Sequence, residues 1–232
     1  MTAIDRRRWL AAAGAVLLAP AAKAAETRVY DYLLLDLDAA PGAPPTRAFA
    51  DHVRAAGLDN AGGTPLGLFS PQIGWHARQA ALLVGWSPDA EGRDKAMAAL
   101  ATAPGVKSVG RHRLQATARP SPTDRLKPGG IYVHRWFVIA TKDLAEFVEL
   151  STTGWRDFEA RFDTNIFGLF TAEQTAADKA AGQTRLLLLT RYKDHGVWEA
   201  SRNPDTAAMA AFQRRQLITR DTWNDSTLLV PL

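Results

Sequence analysis

The apolar and polar positions of the chain describe an order of strand-like and helix-like segments that occurs twice. In the first occurrence, side chains alternate at the start of residues 28–37 and then run apolar, which is typical of a buried strand. Phe49 and Val53 lie four residues apart and therefore share one face of the helix expected from Thr46. The expected strands are 28–37, 66–69, 79–86 and 106–116, and the expected helices are 46–56 and 91–103. This βαββαβ order predicts a ferredoxin-like unit.

The same order returns after a linker at residues 120–130, which contains three prolines and two glycines. The expected strands are 131–140, 166–171, 185–192 and 227–230, and the expected helices are 143–162, 197–202 and 204–218. Residues 67–70 (Gly-Leu-Phe-Ser) match residues 168–171 (Gly-Leu-Phe-Thr) at an offset of 101. Val29-Tyr30 matches Ile131-Tyr132 at an offset of 102. Self-similarity at nearly one interval indicates a duplicated unit.

Two ferredoxin-like units in one chain predict an α+β fold in which two sheets face each other. The helices of each unit cover one face of its sheet, and the other face must be buried elsewhere. Packing the sheets together forms a closed or nearly closed α/β barrel, in which the two units make a pseudo-dimer. We therefore expect repeats at residues 25–119 and 131–232, with a small-ligand cavity between the sheets.

The first 24 residues have the pattern of a cleaved secretory signal. Three arginines at residues 6–8 precede an apolar run at 9–22, and the small residues around Lys23 provide a cleavage site before Ala25. The arginines and the Trp-Leu after them resemble the twin-arginine export motif, and an ordinary Sec signal is the alternative. The apolar run of 14 residues is shorter than the roughly 20 residues of a membrane span. We therefore expect a periplasmic or secreted protein without a permanent membrane anchor.

Composition narrows the partners and the chemistry. The chain has 28 Lys and Arg residues against 24 Asp and Glu, but the signal segment holds four of the basic residues and one of the acidic residues. The rest of the chain carries a net charge of +1, so we expect no binding to nucleic acid. The sequence contains no cysteine, which excludes disulfides, thiolate metal sites and cysteine nucleophiles. It also lacks the motifs of phosphate-binding loops, dinucleotide sites and hydrolase elbows.

Three segments of the second half resemble NIPSNAP-type proteins of the dimeric α/β-barrel superfamily. They are Gly130 to Trp136 (GIYVHRW), Trp155 to Glu159 (WRDFE) and the stretch from Arg191 to Trp198. The resemblance covers about residues 28–230 and implies a ferredoxin-like duplication and frequent homodimers. It implies no settled activity, because the wider superfamily includes cofactor-free monooxygenases, isomerases and haem enzymes.

Candidate ligand-binding and proton-transfer groups lie on the first strand of the second unit. Tyr132, His134 and Trp136 share one face of this strand, and Arg135 lies on the other face. If the first three face the cavity, they offer a stacking surface, a titratable imidazole and an indole donor. The alternative is an aromatic core strand whose histidine is bonded to a neighbour.

Four further candidates follow this strand. Trp155 and Glu159 lie on the expected helix 143–162, where Glu159 would serve as a base or pair with an arginine. Arg191 ends an apolar strand, where a charged side chain must be paired or reach solvent. It would bind an anion through two parallel hydrogen bonds, and Arg202 is a second candidate for that role. An Arg191–Glu159 ion pair would explain the same residues without function.

These residues support two hypotheses. In the first, the protein binds a small organic ligand, anionic if the arginines contact it, through Tyr132, Trp136, Trp155 and Arg202. In the second, it is a cofactor-independent monooxygenase or isomerase that uses His134, Glu159 and Arg191 in the same cavity. The histidine spacing matches no metal motif, so we expect no metal and no cofactor, with a haem enzyme as a third alternative. A closed pocket that joins His134 or Glu159 to Arg191 would favour the enzyme.

Overall fold

The computed structural model describes residues 28–38, 42, 44–202 and 207–232, and the predicted signal at residues 1–24 lies outside them. The strands are Val29–Leu37 (β1), Gly63–Ile73 (β2), Gln79–Trp86 (β3), Val106–Ala116 (β4), Ile131–Ala140 (β5), Thr164–Ala172 (β6), Gln183–Tyr192 (β7) and Thr219–Val230 (β8). The helices are Pro45–Ala55 (α1), Arg93–Ala101 (α2), Leu144–Arg161 (α3), Ala176–Ala180 (α4), His195–Ala200 (α5) and Ala207–Leu217 (α6). Short 3-10 helices occupy Leu58–Ala61 and Thr141–Asp143.

Eight antiparallel strands close into one barrel in the order β1-β3-β2-β8-β5-β7-β6-β4. Within each half, the strands lie in the order last, first, third and second, which is the ferredoxin-like arrangement. The halves join where β2 pairs with β8 and where β4 pairs with β6. The predicted tandem α+β fold and its pseudo-dimeric barrel are therefore confirmed.

Three apolar cores hold the barrel together. One lies between the first sheet and helices α1 and α2, and another lies between the second sheet and helices α3 and α6. The third fills the inside of the barrel and is mainly aromatic. Its largest members are Tyr30, Tyr32, Phe69, Tyr132, Trp136, Phe167 and Phe170. Alternation along the strands sends successive side chains to the inner and outer cores in turn, and register shifts such as the one between Ile166 and Gly168 on β6 interrupt this pattern locally.

Strand β8 is longer than the sequence pattern predicts. It begins at Thr219, whereas the pattern places only residues 227–230 in a strand. Its first part carries polar side chains such as Asp221 and Asn224, which have low intrinsic preference for strands. Hydrogen bonding to β5 holds residues 219–226 in an extended conformation. Contacts with a strand distant in sequence therefore determine the structure of this segment.

Helices α3 and α6 approach closely at Gly154. A Cβ atom at this position would overlap the ring of Phe212 on α6. The glycine therefore lets α6 lie against α3 on the outer side of the second sheet. A glycine lowers helix propensity, so its position within this long helix predicts a kink or a close approach, and the structure shows the close approach.

Candidate functional site

The predicted set on β5 lies inside the barrel. Tyr132, His134 and Trp136 are all buried, and they point into the space between the two sheets. Their shared face is confirmed, and the structure resolves which face it is. Arg135 points the opposite way, toward the helices of the second half.

His134 is held at both ring nitrogens. Its Nδ1 lies 2.9 Å from Tyr32 Oη, and its Nε2 lies 2.9 Å from Thr227 Oγ1. The Thr227 hydroxyl donates to the carbonyl oxygen of Tyr132 at 3.2 Å, so it accepts from the imidazole. This pattern assigns the ring proton to Nε2, with Tyr32 donating to Nδ1.

Burial lowers the pKa of His134 to about 3. The imidazolium would lose its hydration here without gaining an opposite charge. The ring is therefore neutral near pH 7, and protein groups occupy both of its nitrogens. His134 links the two halves of the barrel and offers no free nitrogen to a ligand.

Glu159 and Arg191 pair with other residues. Arg119 Nη1 donates to both carboxylate oxygens of Glu159, at 3.0 and 2.9 Å. Arg191 Nη1 lies 3.2 Å from Asp163 Oδ1, and its Nε donates to a backbone carbonyl oxygen at 3.0 Å. The alternative that Arg191 and Glu159 form an ion pair is therefore wrong, because Glu159 pairs with Arg119 and Arg191 pairs with Asp163.

The three predicted catalytic residues do not come together. His134 lies inside the barrel, Glu159 lies on α3 outside it, and Arg191 lies near the end of β7. The condition that the sequence analysis sets for an enzyme, a closed pocket joining His134 or Glu159 to Arg191, is therefore not met by these three side chains.

Aromatic side chains fill most of the space between the sheets. The cavity described inside the barrel lies toward one end and has a volume of about 110 Å³. Trp136 lines this cavity, whereas Tyr132 packs deeper and donates its hydroxyl to the Lys127 carbonyl oxygen at 2.6 Å. The expected site between the sheets is thus reduced to a small space at one end.

A larger cleft of about 290 Å³ lies between the outer face of the second sheet and helices α3, α5 and α6. Trp155 and Arg202, two of the predicted ligand contacts, line this cleft. Its aromatic walls are Trp155, Phe158, Tyr192, Trp198 and Phe212. We call it the arginine cleft, because Arg135, Arg202 and Arg215 also line it.

None of these three arginines has a carboxylate within ion-pair distance among the described residues. Arg135 Nε donates to Thr222 Oγ1 at 3.3 Å, and Arg215 Nη1 donates to Ser151 Oγ at 3.1 Å. The Arg215 guanidinium also lies 4.7, 4.9 and 5.4 Å from the centres of three phenylalanine rings. These contacts hold the guanidinium in place but do not neutralise its charge.

Burial lowers the pKa of Arg215 to about 9, and the positive charge of Arg135 contributes in the same direction. Burial also lowers the pKa of Arg135, with the charge of Arg202 adding to the effect and Tyr192 opposing it. Both shifts express the cost of holding a buried cation without an anion. A bound anion would remove part of that cost.

Sequence reasoning finds Trp155 and Arg202 but misses Arg135 and Arg215. Arg135 carries a usable signal, since it is a charge on the helix-facing side of a strand whose other residues on that side are apolar. The sequence contains no such signal for Arg215, because Arg214 is the same residue type at the preceding position of α6. Only the packing of the helix determines which of the two arginines is buried. The structure leaves Arg215 6% exposed, whereas the side chain of Arg214 is 58% exposed and pairs with Glu146.

The described residues contain neither a metal-binding cluster nor a membrane-spanning helix. No group of three or more His, Asp or Glu side chains in that part of the chain is arranged to hold a metal ion. Within the same residues, no helix combines the length and the apolar character needed to cross a membrane.

Comparison with known proteins gives matches in structure only. No family model and no curated protein matches the chain. An anthrone oxidase-like protein superimposes with a TM-score of 0.59 at 10% identity, over 88% of this chain and 92% of that one. The chain has the dimeric α/β-barrel fold.

Two further structures share this fold. A haem-binding protein from Thermus thermophilus has a TM-score of 0.55 at 13% identity, over 89% of this chain and 92% of its own. A chlorite dismutase variant from Candidatus Nitrospira defluvii, in complex with cyanide, has a TM-score of 0.53 at 9% identity, over 88% of this chain and 91% of its own. At these identities the likeness concerns the fold alone.

The arginine cleft does not fit haem. Haem iron is held by an axial histidine, a thiolate, a tyrosinate or a Met–His pair. The described lining contains no histidine, and the chain has no cysteine. Burial raises the pKa of Tyr192, which keeps its phenol protonated. The donor set therefore points to a ligand without iron.

Proposed function

We propose that this protein binds a small organic anion with a flat apolar body in the arginine cleft. The supporting observation is that Arg135, Arg202 and Arg215 meet in one cleft without a carboxylate partner among the described residues. Buried charges in proteins are normally paired. A carboxylate on the ligand supplies the missing opposite charge, and the aromatic walls supply the packing surface.

Arg135 and Arg215 provide the charge recognition in this proposal. A guanidinium binds a carboxylate through two parallel N–H···O bonds, which fixes the orientation of the ligand as well as its charge. Arg202 is exposed and lies 5.8 Å from the ring centre of Trp198, so it meets the ligand at the entrance. Gln213 and Asn224 line the same cleft and add neutral donors.

The proposed site lies outside the barrel, on the helix side of the second sheet. Of the ligand contacts expected from sequence, Trp155 and Arg202 belong to it, while Tyr132 and Trp136 belong to the inner core. Ligand binding is favoured over catalysis because His134, Glu159 and Arg191 lie in three different places.

We also propose that the protein is exported to the periplasm or secreted and that it is of NIPSNAP type. The pattern of residues 6–24 supports export, and the three segments within residues 130–198 support the relationship. A homodimer stays a prediction. Since every strand of the described barrel is paired on both sides within the chain, a homodimer would form through helices or loops.

Isothermal titration calorimetry with 2-naphthoate tests the anion site. We expect the acid to bind at least roughly tenfold more tightly than the neutral amide of the same shape, because a charged hydrogen bond contributes roughly 1.5–3 kcal/mol. Arg215→Gln should weaken naphthoate binding by a similar factor. Arg214→Gln is the matched control, since it removes the adjacent but exposed charge of the same helix, and it should bind like the unmodified protein.

Equal affinity for the acid and the amide would contradict charge recognition. An equal loss in both arginine variants would show that the effect is a general one of net charge. Circular dichroism of each variant establishes that the fold is retained.

A further inference from the structure

The small cavity at the end of the barrel is walled by aromatic rings. Trp75, Trp136, Trp223, Tyr32 and His112 all line it. The rings of Trp136 and Trp223 are stacked at 6.0 Å and 14°, and His112 lies 4.9 Å from Trp136. Trp223 is 43% exposed, so it marks the side that opens to solvent. We call this cavity the indole pocket.

Asp225 brings a carboxylate into the indole pocket. The indole of Trp75 favours the charged form of this carboxylate, and no Lys or Arg among the described residues forms an ion pair with it. Gly74 has a φ of 104°, and a Cβ there would overlap the carboxylate. The glycine therefore allows the chain to pass close to Asp225 and to place Trp75 beside it.

The other charges near the pocket are neutralised. Arg185 lines the pocket but pairs with the buried carboxylate of Asp178 at 2.9 Å. Burial lowers the pKa of His112, and the charge of Arg185 acts in the same direction, so the imidazole is neutral near pH 7. Burial raises the pKa of Asp225, as it does for a carboxylate that lacks a cation. Asp225 is thus the uncompensated group.

We propose that the indole pocket binds a small alkylated ammonium group. Indole faces attract organic cations, and several rings around one site are the usual means of recognising quaternary ammonium. The half-buried carboxylate of Asp225 adds a Coulomb attraction that water screens only in part. The volume of about 110 Å³ limits the ligand to a headgroup of a few heavy atoms.

This second site is independent of the anion site. Trp136 and Arg135 are neighbours on β5, so their side chains point to opposite faces of the sheet. The indole pocket opens from inside the barrel, and the arginine cleft lies under the helices outside it. A variant in one site should therefore leave the other unchanged.

Calorimetric titration with choline tests this proposal, with 3,3-dimethylbutan-1-ol as the neutral analogue of the same shape. We expect choline to bind at least tenfold more tightly than the alcohol and to change the tryptophan fluorescence. Asp225→Asn keeps the size of the side chain and removes its charge, so it should lower choline affinity at least tenfold. Arg215→Gln should not alter choline binding.

The aromatic wall is tested separately with Trp223→Leu, which replaces a ring at the exposed side of the pocket. It should weaken choline binding, whereas Trp198→Leu, a matched change in the arginine cleft, should not. The proposal is overturned if choline and the alcohol bind equally, if Asp225→Asn binds choline as well as the unmodified protein, or if choline does not bind at millimolar concentrations. Any of these results would leave the naphthoate experiment unaffected.

Discussion

The two halves of the barrel both bury charge beneath their helices, but they treat it differently: Asp31 in the first half is paired with two arginines, whereas Arg135 and Arg215 in the second half form no ion pair among the described residues. Asp31 is 0% exposed and accepts two hydrogen bonds from Arg93 and two from Arg111, at 2.8–3.1 Å. In the second half, Arg135 on β5 and Arg215 on α6 lie between the sheet and its helices, and neither has a carboxylate partner among the described residues. The first arrangement is neutralised by residues of the chain itself, and the second is the one for which we propose an anionic ligand.

The pKa shifts follow the same division. Burial alone would raise the pKa of Asp31, but the hydrogen bonds from Arg93 and Arg111 outweigh it and hold the pKa below its usual range. Burial lowers the pKa of Arg215, which means that the site disfavours the charged form of this side chain. A buried charge that the protein stabilises is structural, whereas one that it holds at a cost is a reasonable marker of a binding site.

Replacing Asp31 should give the largest effect on stability. Asp31→Ala leaves Arg93 without its carboxylate partner and Arg111 with only the exposed carboxylate of Asp94, and removing one member of a buried ion pair costs about 3–5 kcal/mol. Urea denaturation measures this loss. Asp51→Ala, which removes an exposed partner of Arg54, is the control and should cost less than about 0.5 kcal/mol. Similar losses in the two variants would remove the distinction between the halves.

The contact between Tyr32 and His134 predicts a stability that falls in acid. The pKa of His134 is about 3 in the folded protein and about 6.5 when unfolded. Below about pH 6.5 the unfolded chain takes up the proton first, so the free energy of unfolding falls by up to about 1.4 kcal/mol per pH unit. The loss continues until the pH reaches the folded value. Urea denaturation at several pH values measures it.

His134→Gln provides the comparison, because it lacks the titrating ring. Its stability should depend less steeply on pH between about 6.5 and 4 than that of the unmodified protein. Identical slopes for the two proteins would mean that His134 is not the group that titrates.

Replacing Arg215 should give the smallest effect on stability, with the opposite sign to Asp31→Ala. Arg215→Met retains most of the apolar packing and removes a buried charge that has no anion. We expect the free energy of unfolding without ligand to rise by about 1 kcal/mol, while naphthoate binding weakens at least roughly tenfold. A loss of stability as large as that of Asp31→Ala would instead make Arg215 a structural residue.

The fold is largely readable from the sequence, and the site only in part. The matched segments at residues 67–70 and 168–171 record the duplication, and alternation on β5 places Tyr132, His134 and Trp136 together. Alternation cannot say which face is the inner one, because that depends on how the two sheets meet. The arginine cleft depends on α6 packing against α3 at Gly154, a contact between residues about sixty positions apart that no local pattern encodes.

The joins between β2 and β8 and between β4 and β6 close the barrel within a single polypeptide. In a barrel assembled from two identical chains, a residue at the centre of symmetry would face its own copy. Here Tyr32 faces His134 at an offset of 102 positions, so a hydroxyl donor meets an imidazole acceptor. Covalent fusion of the two units thus frees each one to acquire its own chemistry, and each proposed site occurs once in the chain instead of twice.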